Sequence, residues 1–418
     1  MTLTRRFPLG CAGALAGLAL GGVASPGLGQ GYPPEEAARR MTTADSTRPL
    51  GTIRSQLMRM TTIRAACAVL SCLAPALVIA ATDDPSGGTR PYENRLTPIP
   101  DPAPILADHP EFVAPITETA RFEAPILVDD PGADLDVRAW RFSYNARGII
   151  EVPNRLRADR TAIVVVHPWG IDDGQGWTTP EPAGAAFQCT PVKNGIVLDH
   201  ASEVVDPFLR SLRDRVGLVV YSLPGTEDPI RGKLYRSIRR TPTPEERAEG
   251  RLELEAKLRS FSYRGGALPA VIEVSTETPT IGYLGRFPGL DAGPAFDPPG
   301  FWKLPIPVMS PIAVHPEDVV AYDGEGYGPL RDFLKANGIR HVLLAGYNTD
   351  MCVCSTTAGY ENLRQDFDVF LVGDATIATF PANPRPSLAT NAAVSFAALD
   401  LFITQVSWIR PRPDPQAD

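Results

Sequence analysis

The sequence predicts an α/β domain with three layers, in which a mostly parallel β-sheet carries helices on both faces. Apolar runs rich in β-branched residues, such as TAIVVV over 161–166 and HVLLAG over 341–346, are typical of strands that are covered on both faces. Segments with the apolar spacing of helices lie between such runs, for example DPFLRSLRDR over 206–215. Strands that alternate with helices favour right-handed crossovers and therefore a parallel sheet.

The predicted elements follow one another in this alternating order. Helical segment 206–215 leads from the first strand to a second buried strand within VGLVVYSLP, over 216–224. The later elements are a third strand that ends SPIAVHPEDVVAY (310–322), a helix in GPLRDFLKANG (328–338) that Gly338 stops, a fourth strand in RHVLLAG (340–346), a fifth in DVFLVGDAT (368–376), and a helix with a last strand in LATNAAVSFAALDLFITQVSWI (388–409).

Two further segments flank and interrupt this domain, which we assign to 160–418. A Pro-rich extension over 82–159 should carry a few antiparallel strands and fold onto the domain. An insertion over 224–316 begins with a helix that Thr243 caps and Glu246 completes as a capping box. Because loops at the carboxyl ends of parallel strands surround the ligand crevice, this insertion could act as a lid or could simply decorate the surface.

The N-terminal region 1–81 resembles targeting sequence twice. Arg5 and Arg6 precede a first apolar segment, and a second candidate signal peptide spans 60–81, where it ends in small residues. Translation that starts at Met60 would explain the duplication. A transmembrane anchor is the alternative, although the apolar run is short and Pro75 interrupts it. We therefore expect an exported protein, periplasmic or secreted, with no stable membrane span after processing.

Charge and cysteine content exclude other classes. The formal net charge is −8 and the pI about 5.3, so a nucleic-acid backbone would be repelled. Beyond residue 81 the chain has three cysteines, Cys189, Cys352 and Cys354, and such a small odd number argues against a disulfide framework in an oxidising compartment. A disulfide from Cys189 to one of the other two remains the alternative.

Cys352 lies where the fourth strand gives way to a predicted helix. Thr349 or Asp350 could cap this helix, which would place the thiol in its first turn, near unpaired N–H groups that favour a thiolate. The same position also suits a small buried apolar cysteine. Cys354, two residues on, is predicted to be a packing residue.

The stretch GYNTDMCV, Gly346 to Val353, resembles the nucleophile motif of isochorismatase-like cysteine hydrolases, the family that includes nicotinamidases. The resemblance covers roughly 160–409 apart from the insertion. It implies a Cys352 nucleophile that cleaves a small amide or related C–N bond without a cofactor. It also implies a cis peptide bond at Tyr347–Asn348, an oxyanion near the backbone N–H groups of Asn348 and Cys352, and a substrate-binding role for Asn348 and Asp350. Self-association is frequent in this family, so a homo-oligomer is compatible with it.

Two of the three catalytic positions that the resemblance implies differ here. The family carries an Asp at the end of the first strand and a Lys after the third, and we place His167 and Tyr322 at these positions. His167 could replace the Asp as proton acceptor for Cys352, with Tyr322 donating a hydrogen bond to the thiolate or substrate. Lys303 could fold back as a substitute Lys.

Two other interpretations stay open. The domain could bind a small molecule without turning it over. A metal could instead be recruited by His167 together with Asp172, Asp173 or His200, although HPWGIDDGQGW (167–177) has no dedicated ligand spacing, and we predict no metal.

Overall fold

A computed structural model describes residues 88–169, 191–260, 271, 273–280, 304–378, 390–391, 394–395 and 403–413. The strands in these residues are β1 (Thr97–Pro98), β2 (Arg121–Glu123), β3 (Leu135–Ser143), β4 (Gly148–Leu156), β5 (Thr161–Val166), β6 (Leu218–Leu223), β7 (Arg236–Ser237), β8 (Val319–Tyr322), β9 (His341–Tyr347), β10 (Asp368–Ile377) and β11 (Thr404–Pro411). They form one mixed sheet in the order β1-β2-β4-β3-β11-β10-β9-β5-β6-β8-β7.

Helices of the described residues connect the parallel strands. They are α1 (Pro191–His200), which continues through a π-helical turn at Ala201–Val205 into α2 (Asp206–Leu212), then α3 (Pro229–Leu234), α4 (Pro244–Ser260), α5 (Tyr327–Ala336), α6 (Cys352–Ser355) and α7 (Tyr360–Leu363). Within the described parts of the chain, none of the helices is both long and apolar enough to cross a bilayer.

The parallel part of the sheet confirms the predicted fold class. Neighbouring strands from β11 through β10, β9, β5, β6 and β8 to β7 all pair in parallel. Every residue of β5 is fully buried, and alternate residues enter two separate apolar cores: Ile163 and Val165 one, Val164 and Val166 the other. Two covered faces explain why this strand reads as a continuous apolar run.

The antiparallel strands of the predicted extension are present, and they lengthen the sheet. β3 pairs antiparallel with β11 and with β4, so the extension continues the sheet beyond the parallel part. A buried polar joint also ties the two parts together, because Nε2 of His341 at the start of β9 lies 2.9 Å from Oδ2 of Asp130. Residues 1–81 lie outside the described residues, and the boundaries at 82 and 160 stay predictions.

Two predicted helix ends are confirmed and one is wrong. The capping box before α4 is formed, with the Glu246 N–H donating to Thr243 Oγ1 at 3.2 Å and the Thr243 N–H donating to Glu246 Oε2 at 2.8 Å. Gly338 ends α5 with a left-handed φ of +74°. The helix predicted through Cys352 is only the four-residue α6; its N-cap is Met351, and no side chain caps it. The hydroxyl of Thr349, a predicted cap, instead bonds Thr376 Oγ1 at 2.6 Å.

Candidate active site

The carboxyl ends of four parallel strands bring a polar cluster to one edge of the sheet. We call His167, Asp323 and Cys352 the Cys-His-Asp cluster; they follow β5, β8 and β9. Ser222, near the end of β6, lies beside them. In open parallel sheets this edge is the usual ligand crevice, so the topology alone places these groups where chemistry is expected.

A close approach of two strands holds this cluster together. Gly346 in β9 has a φ of +109°, and a Cβ added there would lie 2.1 Å from the carbonyl oxygen of Val166 in β5. Only glycine lets the two backbones come this near. His167 directly follows Val166, and Cys352 lies six residues after Gly346, so this contact fixes the two chain segments that carry them.

His167 is held in an unusual conformation. Its φ is +45°, in the left-handed region that costs a residue with a Cβ about 1 kcal/mol or more. Its N–H donates to the carbonyl of Ser222 at 2.9 Å, and only 3% of the residue is exposed. The surrounding structure therefore fixes the direction of the imidazole ring.

The ring of His167 is bound through one nitrogen. Nε2 lies 2.7 Å from Oδ2 of Asp323, and Nδ1 is buried without a hydrogen-bond partner among the residues that the structure describes. Burial alone would lower the pKa of His167, but the charges on Cys352 and Asp323 outweigh it and raise this pKa to about 10. At neutral pH the ring is thus an imidazolium beside a sulfur and a carboxylate.

Asp323 is itself held on two sides. Its Oδ1 accepts a hydrogen bond from Ser222 Oγ at 3.3 Å, and its backbone carbonyl accepts one from Thr357 Oγ1 at 2.9 Å. Thr357 lies between α6 and α7, on the segment that follows Cys352. The contact therefore links the end of β8 to the chain segment that carries the thiol.

Cys352 is the first residue of α6 and is 4% exposed. A helix of one turn adds little macrodipole, so the predicted helix-terminus effect on the thiol is weaker than the sequence suggests. The imidazolium of His167 interacts with Cys352 and supplies a positive charge beside it. Cys354 donates its S–H to the Thr349 carbonyl at 3.0 Å, a buried contact in keeping with the packing role expected of it.

The segment between β9 and Cys352 is turned back on itself. The cis peptide bond at Tyr347–Asn348 that the resemblance implies is present. The Asn348 carbonyl accepts hydrogen bonds from the N–H groups of Met351 and Val353, at 3.0 and 3.2 Å. Asn348 is 5% exposed, whereas Asp350 is partly exposed. The substrate-binding roles of Asn348 and Asp350 stay predictions.

The structure does not bring Tyr322 to the cluster. Its side chain is fully buried in the core on the face opposite to that of Cys352, and its ring lies 4.8 Å from the Arg231 guanidinium. Its hydroxyl has no hydrogen-bond partner within the described part of the chain. Successive residues of a strand point to opposite faces, so the residue after Tyr322 faces His167 instead. The role predicted for Tyr322 is thus not supported, and the sequence interpretation missed Asp323 by one residue.

His200 is not available as a metal ligand. Its Nδ1 lies 2.8 Å from the Tyr347 hydroxyl and its Nε2 lies 2.7 Å from the carbonyl oxygen of Asp374, so both ring nitrogens are used. Among the described residues no group of three or more potential ligands could hold a metal ion. Asp172, Asp173, Cys189 and Lys303 lie outside the described residues.

Comparison with known proteins supports the family resemblance. The family model of the isochorismatase domain matches residues 320–399, which contain β8, β9, Cys352 and β10. This match covers the motif around Cys352 and agrees with the resemblance that this motif indicates. A comparison with curated proteins found no match.

Solved structures of isochorismatase-family proteins and nicotinamidases are similar to this chain at low identity. An isochorismatase family protein from Desulfovibrio vulgaris is 12% identical, with 59% of this chain and 93% of that chain covered and a TM-score of 0.30. A cysteine hydrolase from Pseudomonas syringae is 16% identical, covers 60% and 91%, and also gives 0.30. A nicotinamidase from Bacillus subtilis is 12% identical, covers 59% and 98%, and gives 0.28. The fold assignment rests on the sheet topology, not on these superpositions.

Proposed function

We propose that this protein is a cysteine hydrolase that cleaves a small amide or related C–N bond, with Cys352 as the nucleophile and His167 as its acid and base. The observation that carries the proposal is the position of the two residues. A buried imidazole, fixed through Nε2 and subject to the charge of Cys352, lies with the thiol at the ligand edge of a parallel sheet.

The proposed reaction starts from a thiolate and an imidazolium. Cys352 Sγ attacks the substrate carbonyl carbon, and His167 gives its proton to the leaving nitrogen as the C–N bond breaks. This leaves a thioester and a neutral imidazole. A water molecule then attacks the thioester and yields a proton to His167, and the C–S bond breaks. The products are a carboxylic acid and an amine, and the starting ion pair is restored.

The oxyanion formed at each attack needs hydrogen-bond donors. We assign this role to the backbone N–H groups of Asn348 and Cys352, as the resemblance implies. Removal of one such donor lowers the catalytic rate constant by about 10²- to 10³-fold. The turn that the Asn348 carbonyl makes with Met351 and Val353 keeps this backbone in a defined arrangement.

A binding protein without turnover is the second candidate. What favours it is the change of both charged positions that the family resemblance implies, at His167 and after β8. The experiment is a panel of small amides, ureas and carbamoyl compounds, with product acid and released amine measured for the wild type and for Cys352→Ala. Turnover that depends on Cys352 supports the hydrolase. Saturable binding of a panel member by the wild type, with no product formed, supports the binding protein.

We also propose that the protein is exported, on the basis of the apolar segment over 60–81. The mature chain should then begin near Ala81 or Thr82. N-terminal sequencing of the native protein tests this, and a native chain that retains residues 1–59 would contradict both the cleavage and the start at Met60.

A further inference from the structure

The charges around Cys352 are the reverse of those that the family resemblance implies. That resemblance implies a carboxylate after the first strand of the parallel sheet and an ammonium group after the third. In this chain an imidazole follows β5, and the residue after β8 that reaches it is a carboxylate, 2.7 Å away. One acidic and one basic group are therefore present, but on exchanged strands.

We propose that His167 and Asp323 form a charge-exchanged pair, in which the Asp323 carboxylate positions His167 so that its Nδ1 faces Cys352. Asp323 is a positioning residue in this account, since it acts on the thiol only through the histidine. The effect of this pair on turnover rests on the proposed function. Its effect on the reactivity of the Cys352 thiol does not depend on any substrate.

The hydrogen-bond arrangement of His167 supports this role. Nε2 is occupied by Asp323, so Nδ1 is the ring atom left for proton exchange with sulfur, and Nδ1 is buried without a partner in the described residues. An unpartnered buried ring nitrogen costs free energy, which a thiolate or a substrate atom at that position would recover. A carboxylate bound to the distal nitrogen of a histidine fixes both the tautomer and the direction of the ring.

Hydrogen bonds from two other segments hold Asp323 in place, as a positioning residue requires. Ser222 Oγ donates to its second oxygen at 3.3 Å, so neither carboxylate oxygen is without a contact. Thr357 Oγ1 fixes its carbonyl at 2.9 Å from the segment that follows Cys352. The carboxylate is thus held between β6 on one side and the chain segment of the nucleophile on the other.

Charge explains why the exchange is tolerated. A thiolate needs one nearby cation, and the lysine that the family would supply is replaced by the imidazolium, which also carries a transferable proton. Without a carboxylate, a buried imidazolium would be penalised by desolvation. Asp323 offsets this penalty, so the histidine can combine the cation role with the acid-base role.

The experiment measures the rate constant for alkylation of Cys352 by iodoacetamide, followed by mass spectrometry on the full chain at several pH values. This readout needs no substrate. Asp323→Asn keeps the shape and removes the charge, and we expect alkylation at pH 7 to slow by about 10-fold or more, with the pH of half-maximal rate moved upward. Asp323→Glu should recover part of the loss. Asp332→Asn, which removes an exposed carboxylate from α5, is the matched control and should leave the rate unchanged.

An exchange experiment tests the pairing itself. His167→Asp alone removes the cation beside the thiol and puts two carboxylates together, so it should lose most of the thiolate reactivity. The double variant His167→Asp with Asp323→Lys restores a cation and opposite charges in the arrangement that the family resemblance implies, and its alkylation should be faster than that of His167→Asp alone. If the exchanged variants do not fold, as judged by circular dichroism, the Asn and Glu variants at Asp323 decide the question alone.

A wild-type alkylation rate in Asp323→Asn would overturn the proposal, as would a folded double variant that is alkylated no faster than His167→Asp. Failure of the proposed function has a different signature. In that case no panel compound is turned over by the wild type, while the alkylation rates still follow the charges at His167 and Asp323.

Discussion

The hydroxyl of Tyr347 and Nδ1 of His200 lie 2.8 Å apart in a fully buried contact between β9 and α1. Nε2 of His200 must donate to the Asp374 carbonyl, 2.7 Å away, because a carbonyl oxygen can only accept. Burial lowers the pKa of His200 well below neutrality, so near pH 7 the ring is neutral and Nδ1 accepts from the Tyr347 hydroxyl. Tyr347 directly precedes Asn348, so this contact anchors the strand end from which the segment carrying Cys352 departs.

This neutral histidine makes the fold sensitive to acid. Burial lowers the pKa of His200 from 6.5 to about 4, so between these values the unfolded chain binds a proton that the folded chain does not. The free energy of unfolding should therefore fall as the pH drops from about 6.5 to 4, by up to about 3 kcal/mol. Urea titrations of the wild type and His200→Gln over this range should show that the variant lacks this contribution.

The exposed His315 provides the control for that measurement. His315→Gln should follow the wild-type pH dependence. A His200→Gln variant that loses stability between pH 6.5 and 4 as steeply as the wild type would show that His200 is not the responsible group.

Substitution of the two cysteines of α6 should affect turnover very differently. Cys352→Ser should abolish turnover and leave stability nearly unchanged, since a hydroxyl at ordinary pKa is a poor nucleophile in a site built for a thiolate. Cys354→Ser should retain turnover within about threefold, because its role is a buried hydrogen bond to Thr349 that a hydroxyl can also make. Product formation by both variants, normalised to folded protein, checks this pair, and an inactive Cys354→Ser that is folded would contradict it.

The fold could be predicted because the strands of the parallel sheet are buried on both faces and read as apolar runs. His167 and Cys352 could be singled out because each follows the end of such a run, and the structure places both at the same edge of the sheet. Asp323 was missed because the sequence does not show which face of β8 the Tyr322 side chain occupies. Neighbouring residues of a strand point to opposite faces, so an assignment that is wrong by one residue selects a side chain on the wrong face. Local sequence also could not show that the hydroxyl of Thr349, a predicted cap, bonds Thr376, which lies 27 residues further along the chain.

Gly346→Ala should disrupt the packing of β9 against β5 and with it the Cys-His-Asp cluster. The new Cβ would lie 2.1 Å from the Val166 carbonyl oxygen and would force a left-handed φ on a residue with a side chain. Overpacking of this kind costs about 1 to 3 kcal/mol, and the backbone strain adds about 1 kcal/mol. The melting temperature and Cys352 alkylation should fall together. Gly328→Ala, at a site in α5 with open space around the glycine, is the control and should leave both unchanged or raise stability.

The joint between the extension and the parallel strands should be sensitive to acid as well. Burial would raise the pKa of Asp130, but the Arg157 N–H and His341 outweigh burial and lower it. The stabilisation is therefore present above the ordinary carboxyl pKa and is lost as the pH falls through the lowered value. Asp130→Asn should lose about 1 to 3 kcal/mol at pH 7 and less at pH 3, in urea titrations. The exposed neighbour Asp129→Asn should lose little at either pH.

The acid role proposed for His167 predicts an alkaline limit to amide hydrolysis. The pKa of His167 is raised to about 10, so the imidazolium that protonates an amine leaving group is present at neutral pH and is lost as the pH rises through 10. Hydrolysis of an amide should therefore be flat near neutrality and fall at alkaline pH, whereas alkylation of Cys352, which needs only the thiolate, should not fall. An activated ester such as a nitrophenyl ester has a leaving group that needs no proton, so its acylation burst should also lack the alkaline fall. If ester burst and amide turnover decline together with rising pH while circular dichroism shows an intact fold, the proton of His167 is not used on the leaving group.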